Sequence, residues 1–407
     1  MPDRQKDPAL LAKVVCLTLL ILLLSLAGLF LSLWIVIPAP TAFLLPLGVG
    51  APEISPWLIG INAIALVGLG LGRTGGRLPL LILICSLLGL GLSLLPLAQL
   101  PAANRQIDAE MRSVLGPDFL ASVPEKALQP LRSQPWVLAD SLRGIALEDV
   151  RVDRGLVFAR PDETALTLNV YRPLTPGRYP TLVVIYGGAW QSGSPDNKAT
   201  FNRYMAAQGY TVVAIDYRHA PQYRFPAQLI DVNTALAYIQ SHAEALSVDL
   251  NHMAVLGRSA GAQLAAIAAY ESAVPLRAVV LYYGPVDLTA GYQDPPVPDP
   301  INTRAVLRTF LGGPPETAPE LYRQASPINY VRAHLPPTLL VYAGRDHVVQ
   351  ARYGRQLYEQ LQAADNQAVW LKIPWAEHAF DTVFNGLSNQ LALYYTERFL
   401  AGALKSA

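Results

Sequence analysis

Hydrophobic positions divide the chain near residue 147. Upstream, apolar residues come in long runs without period. Residues 14–37 form one such run, 78–100 another, and 56–72 a shorter glycine-rich one whose apolar character reaches back into 41–50. Runs of about 20 residues are long enough to cross a bilayer as helices, whereas the apolar core of a signal peptide is only ~7–15 residues. The pattern therefore predicts a membrane segment, residues 1–100, with about three transmembrane helices at 14–37, 56–72 and 78–100. Residues 101–146 mix polar and apolar positions and carry Pro117, Pro124, Pro130 and Pro135, which predicts a juxtamembrane connector.

Downstream of 147 the pattern becomes that of alternating strands and helices. Segments 147–152 and 165–171 alternate as a hairpin would; 181–186, 211–216, 253–256, 277–283, 338–342 and 368–373 read as further strands. Between them, 196–208 reads as a helix, and Leu229, Val232, Leu236 and Ile239 recur at helical spacing. Strands alternating with helices predict a mostly parallel sheet covered on both faces, with chemistry at the carboxyl ends of the strands. Residues 288–336, between two core strands, predict a lid; its Tyr292, Phe310, Tyr322 and Tyr330 either line a pocket or pack the lid itself.

Composition sharpens this picture. The 407 residues are 52% hydrophobic and 15% charged, an imbalance concentrated in 14–100, where only Glu53, Arg73 and Arg77 are charged. A formal charge of +1 gives no basic excess for nucleic acid. Both cysteines, Cys16 and Cys85, lie in apolar runs, so disulfides do not staple the remainder. The spans hold no ionisable residue, which argues against a transporter; Asn62 reads as an interhelical hydrogen bond, and Gly68-x-x-x-Gly72 as either a close helix approach or ordinary membrane glycine. Arg4, Lys6 and Lys13 precede the first span and Arg73 and Arg77 follow the second, while 38–56 has no Lys or Arg. Three spans then predict a cytoplasmic N-terminus and an extracytoplasmic catalytic domain. A re-entrant second segment would reverse that side.

The candidate chemistry centres on Gly257-Arg258-Ser259-Ala260-Gly261, which follows an apolar strand and opens an alanine-rich helix. Gly-x-Ser-x-Gly at a strand-to-helix turn is a nucleophile elbow, with Ser259 as nucleophile and Gly257 and Gly261 giving room for the turn. The Ala260 N–H then lies at a helix N-terminus, suited to a developing anion. A serine needs a base and an orienting acid. Among six histidines (219, 242, 252, 334, 347 and 378), His378 follows the last strand. His242 and His252 read as surface residues, His219 as a weaker rival, and His347 as exposed. Asp346 follows a strand and precedes His378, giving the chain order Ser, Asp, His. Rival acids are Asp287, which more plausibly opens the lid, and Glu377 and Asp381, which neighbour His378. Gly187-Gly188-Ala189 follows another strand and, with Ala260, completes a candidate oxyanion hole.

The elbow, the Gly-Gly-x-Trp loop, Asp216-Tyr217-Arg218-His219-Ala220-Pro221 with Phe225-Pro226-Ala227, and Ala325-Ser326-Pro327 together resemble the hormone-sensitive-lipase-like carboxylesterases of the α/β-hydrolase fold, with kynurenine formamidases as close relatives. The resemblance covers about 150–402. It implies an α/β-hydrolase domain over 147–407, a triad of Ser259, Asp346 and His378, and oxyanion donors at Gly188 and Ala189. It differs from the family's His-Gly-Gly-Gly in having Tyr186-Gly187-Gly188-Ala189.

These observations predict a membrane-anchored serine hydrolase acting on a carboxylic ester, lipid-derived esters being attractive because of the anchor, with no metal or organic cofactor. Amide hydrolysis (an arylformamidase or peptidase) and a catalytically silent binding module are the alternatives. Oligomeric state is not legible.

Overall fold

A computed structural model describes residues 8–71, 77–271 and 274–406. Arg4, Lys6, Gly72, and all of the predicted basic turn except Arg77, lie outside the described residues. The chain opens with four helices: α1 (Pro8–Leu33), α2 (Leu45–Glu53), α3 (Ser55–Leu71) and α4 (Leu78–Leu115). Helices α1 and α4 are long and apolar enough to cross a membrane; α2 and α3, bent by 80° at their junction, make a third span if taken as one broken pair. The break falls at Glu53-Ile54-Ser55, where Pro52 and Pro56 both interrupt regular helix bonding.

Helix α3 runs against both α1 and α4. The Asn62 amide donates to Ser32 Oγ at 3.3 Å and to the Leu58 carbonyl at 2.8 Å. This is the interhelical bond the sequence predicted. Gly28 and Gly89 make room for Asn62, since a side chain at either would overlap its Oδ1. Gly68 approaches α1 closely: a Cβ there would come within 3.0 Å of Ile21.

Helix α4 does not stop where the apolar run ends. It continues to Leu115, and Leu100, Ala103, Ile107 and Met111 join one of the two cores of the downstream domain. Glu110 accepts from the Tyr358 hydroxyl at 2.7 Å, and Asn104 Oδ1 from that of Tyr395 at 2.7 Å. The first part of the expected connector is thus the end of a helix that begins in the apolar bundle. The rest holds α5 (Glu125–Leu128) and α6 (Leu138–Arg143). It is docked through Ser141, whose carbonyl accepts from Trp57 of α3 and from Asn385.

The downstream domain has strands β1 (Arg151–Ala159), β2 (Leu166–Arg172), β3 (Tyr179–Ile185), β4 (Thr211–Ile215), β5 (Val248–Arg258), β6 (Ala278–Tyr282), β7 (Thr338–Ala343) and β8 (Ala368–Ile373). They form one sheet in the order β1-β2-β4-β3-β5-β6-β7-β8. The pairs β1/β2 and β2/β4 are antiparallel and the rest parallel. The first strand starts later than the alternation at 147–152 suggested; Leu147 is exposed, and residues 144–150 form an extended lead-in without a ladder partner.

Helices α7 (Ala199–Ala207), α8 (Ala227–Ser241), α9 (Ala260–Glu271), α10 (Leu288–Gln293), α11 (Thr303–Leu311), α12 (Pro319–Gln324), α13 (Ala351–Ala363) and α14 (Leu387–Leu404) complete the domain. Central strands are buried on both faces, as continuous apolar runs require. Helices α10 to α12 lie between β6 and β7, in the segment expected to form a lid. Phe310 stacks on Trp190 with ring centroids 4.1 Å apart, and Tyr322 packs edge-on against Tyr292. The two open readings of the lid aromatics are resolved for this pair in favour of packing: Phe310 and Tyr322 are fully buried.

Candidate active site

Strand register places the candidate residues before side chains are considered. Ile185 of β3 lies opposite Gly257 of β5, so the Gly187-Gly188 loop leaves the sheet beside Arg258-Ser259. Ala343 of β7 lies opposite Ile373 of β8, and the following loops stay joined by Gly344 N–H to the Ile373 carbonyl (2.7 Å) and Arg345 N–H to that of Ala376 (3.0 Å). The loops that carry Asp346 and His378 therefore emerge together.

Ser259 has φ +50°, the left-handed conformation that a sharp strand-to-helix turn imposes. Its N–H donates to the Tyr282 carbonyl at 2.9 Å, which pins the turn to β6. A side chain at Gly257 would overlap the Gly261 carbonyl and Ala262; one at Gly261 would overlap the Ile185 and Tyr186 carbonyls. Both positions therefore need glycine for close backbone approach.

His378 Nε2 lies 3.0 Å from Ser259 Oγ, and its Nδ1 lies 2.8 Å from Asp346 Oδ2. Asp346 Oδ1 accepts the Val348 and Val349 N–H groups at 2.9 and 2.6 Å. Burial pushes the Asp346 carboxyl above its ordinary value, and the adjacent imidazole works against that rise. The three predicted residues thus meet in one hydrogen-bonded line.

The rivals are engaged elsewhere. Asp287 caps α10 by accepting the Ala290 N–H at 2.9 Å. His219 Nε2 lies 2.9 Å from the Tyr186 hydroxyl, which also donates to Asp216. Tyr186, standing where the family has histidine, is thereby fixed from its far end. His347 is not exposed as expected. It is half-buried with Nδ1 2.5 Å from Glu377 Oε2, and that hydrogen bond raises its pKa. Glu377 Oε1 also accepts the backbone N–H groups of His347 and His378, so it ties the two loops together.

A second buried cluster lies under the elbow. Asp381 Oδ2 accepts Arg258 Nε at 2.5 Å, while Oδ1 accepts the Tyr283 hydroxyl at 2.5 Å and lies 3.1 Å from Lys198 Nζ. Burial alone would raise this carboxyl, but Lys198 and Arg258 outweigh it and hold it well below the usual range. Sequence reasoning treated Asp381 only as a rival acid. The arginine inside the Gly-x-Ser-x-Gly motif was the available signal, because an arginine buried there requires an anion.

Gly188 has φ +137° and Ala189 φ +53°. The N–H groups of Gly188, Ala189 and Ala260 have no hydrogen-bond acceptor among the described residues. Two clefts meet at Ser259. One runs toward α10 and α11 and is lined mainly by aliphatic groups including Val286, Leu288, Val306 and Leu307. The other contains His378 together with Ser192, Asn197, Lys198 and Thr382. Its wall also includes Leu45 from α2, upstream of the catalytic domain. Among the described residues no cluster of three or more His, Cys, Asp or Glu side chains is arranged to hold a metal ion.

This fold and elbow define an α/β-hydrolase, and the comparisons narrow the class. Residues 168–361 match the family model described as BD-FAE. The chain is 34% identical to the esterase LipC of Mycobacterium tuberculosis over 246 residues, covering 54% of this chain and 58% of LipC. It is 29% identical to the probable carboxylic ester hydrolase LipM of the same organism over 357 residues, 82% of this chain and 81% of LipM. That share of this chain exceeds the catalytic domain, so the likeness to LipM reaches into the N-terminal segment. Among solved structures, the propionate-bound esterase Est2 of Thermogutta terrifontis superposes with a TM-score of 0.51 at 25% identity, over 62% of this chain and 93% of Est2. These likenesses are consistent with the hormone-sensitive-lipase-like carboxylesterase group that the motifs resemble.

Proposed function

We propose that the protein is a membrane-anchored serine hydrolase of carboxylic esters, with Ser259, His378 and Asp346 as its triad. The observation that carries this reading is the continuous line Ser259–His378–Asp346, with contacts of 3.0 and 2.8 Å. His378 Nε2 accepts the Ser259 proton as Oγ bonds to the ester carbonyl carbon. The oxyanion takes hydrogen bonds from the Ala260, Gly188 and Ala189 N–H groups. The carbon–oxygen bond to the alcohol then breaks, and His378 returns the proton to the leaving oxygen. Water attacks the acyl-enzyme, gives its proton to His378, and releases the acid and free Ser259. Asp346 fixes the imidazole tautomer and stabilises its cation.

The positions of the clefts assign the two halves of the substrate. A leaving alcohol must lie next to the group that protonates it, and His378 lines only the cleft that also contains Leu45 and Lys198. The alcohol therefore occupies that cleft and the acyl chain the aliphatic one under the lid. The bundle supports the predicted orientation as well. With the bent α2–α3 pair taken as one pass between α1 and α4, Lys13 and Arg77 fall at the end remote from the catalytic domain. By the positive-inside rule that end is cytoplasmic and the catalytic domain extracytoplasmic.

The test is hydrolysis of graded chromogenic acyl esters by the detergent-solubilised full chain, beside Ser259→Ala. Loss of a triad member leaves at most about 10³–10⁴-fold catalysis over water, so turnover should fall by several orders of magnitude. A folded Ser259→Ala variant that keeps its turnover overturns the assignment.

A further inference from the structure

The placement of Leu45 has a consequence for how substrate reaches Ser259. Leu45 opens α2, immediately after the charge-free linker that follows α1, and it lines the same cleft as His378 and Ser259. Ile301, in the loop after α10, lines that cleft and the aliphatic one as well. The chain beside each lip carries a bare apolar side chain. Phe43, two residues before Leu45, is 89% exposed, and Val297, in the loop leading to Ile301, is 91% exposed. Single exposed apolar residues are ordinary on a soluble surface, but these lie within a few residues of Leu45, Pro296 and Ile301, which line a site whose wall is continuous with helices apolar enough to cross a bilayer. Helix α1 ends at Leu33, and Val36 and Ile37 in the linker toward Leu45 are exposed as well.

Two buried contacts hold α2 against the catalytic domain. Glu53 Oε2 accepts the Ser388 N–H at 2.8 Å, at the N-terminus of α14. A side chain at Gly386 would overlap Glu53, so the two surfaces are closely fitted. The wall formed by α2 is thus a fixed part of the site.

We propose that the mouth of the active site opens at the membrane surface between α2 and the lid loop, with Phe43 and Val297 dipping into the bilayer, and that the substrate is an amphiphilic ester drawn from the lipid phase. The acyl chain passes from lipid into the aliphatic cleft beneath the lid. The alcohol remains in the polar cleft with Ser192, Asn197 and Thr382. This rests on the serine-hydrolase reading above.

The experiment reconstitutes the full chain in phosphatidylcholine vesicles and measures two probes, 4-methylumbelliferyl oleate held in the bilayer and the water-soluble butyrate. The comparison is between wild type and the double substitution Phe43→Asp/Val297→Asp. The ratio of oleate to butyrate kcat/KM should fall by about tenfold or more, because two charged groups replace apolar anchors at the lipid boundary. Diluting the oleate ester with further phosphatidylcholine at constant bulk concentration should slow the wild type. A nitroxide at Phe43→Cys, in a Cys16→Ala/Cys85→Ala background, should be shielded from an aqueous nickel chelate. An unchanged ratio, or a nitroxide fully open to the chelate, overturns the proposal. Survival of either ester's turnover in Ser259→Ala instead overturns the hydrolase reading, so the two failures are told apart.

Discussion

Replacing Asp381 by Asn tests whether the buried cluster under the elbow holds the site together. The carboxylate is almost fully buried and receives Arg258 Nε, the Tyr283 hydroxyl and Lys198 Nζ. Asparagine is nearly isosteric, so the change removes charge without opening a cavity. Arg258 is also almost fully buried and Lys198 mostly so; each would be left without its counter-ion. Removing one partner of a buried ion pair typically costs ~3–5 kcal/mol. For a domain of this size that corresponds to a fall in Tm on the order of 10 °C. The loss should depend on pH. Burial already depresses the Lys198 pKa and Asp381 opposes that depression, so the substitution lowers it further. An amine whose folded pKa lies below its unfolded value destabilises the fold while protonated. The penalty therefore shrinks as pH rises from the folded pKa toward the ordinary lysine value. Thermal unfolding in detergent micelles at pH 7 and pH 9.5 should show a smaller deficit at the higher pH. Turnover of a short ester should fall with it, since Asp381 follows His378 by one short loop and Arg258 adjoins Ser259. A deficit below ~1 kcal/mol, or one that does not change with pH, would refute the argument that the carboxylate serves to neutralise these two cations.

Further outcomes are expected at two sites. At the loop beside the elbow, Gly188→Ala should abolish turnover, because the added methyl overlaps the Ser192 carbonyl. Ala189→Gly should instead raise stability by up to ~1 kcal/mol by relieving a left-handed alanine, and ester kinetics with thermal melts on both variants check the opposite signs. Glu397, buried in α14 with the Tyr204 hydroxyl and Arg132 N–H as donors, has its pKa pushed by burial from 4.5 to about 7. The unfolded chain releases this proton first, so stability should decline as pH rises from about 4.5 to about 7, by up to ~3 kcal/mol, and then level off. Glu397→Gln should flatten that decline in melts taken across the interval.

What the sequence revealed follows from which signals are local. The elbow turn was legible because strand end, serine and helix start fall within five residues, and the meeting of Asp346 and His378 with it because each follows a buried strand whose apolar run is continuous. Register then brought them together without further signal. Of the Asp381 cluster only the motif's arginine gave a signal, and its partners were hidden, since Lys198, Arg258, Tyr283 and Asp381 come from four separate segments. Glu377 was obscured in a different way: adjacency to His378 made it look like a rival acid, whereas its contacts are with backbone N–H groups and His347. The lid's aromatic residues were ambiguous because a pocket wall and a packed core select the same side chains.

The end of the third apolar run shows why hydropathy located the helices better than their functional boundary. A hydropathy profile reports where lipid-like burial stops, but a helix has no reason to stop there when its next turns find another apolar surface. In α4, Leu100, Ala103, Ile107 and Met111 recur at helical spacing and bury against the sheet's outer layer, among them β8. Pro101 sits within the helix without ending it. Division of the chain at residue 100 would therefore cut a helix in the middle and expose the face of the catalytic core that it covers. The same logic applies at α2, where Glu53 reaches the N-terminus of α14. A charged residue in an apolar segment reads as an interruption when only the segment is considered. Beside the Ser388 N–H it instead has an acceptor's place to fill, and it joins the apolar bundle to the first turn of α14.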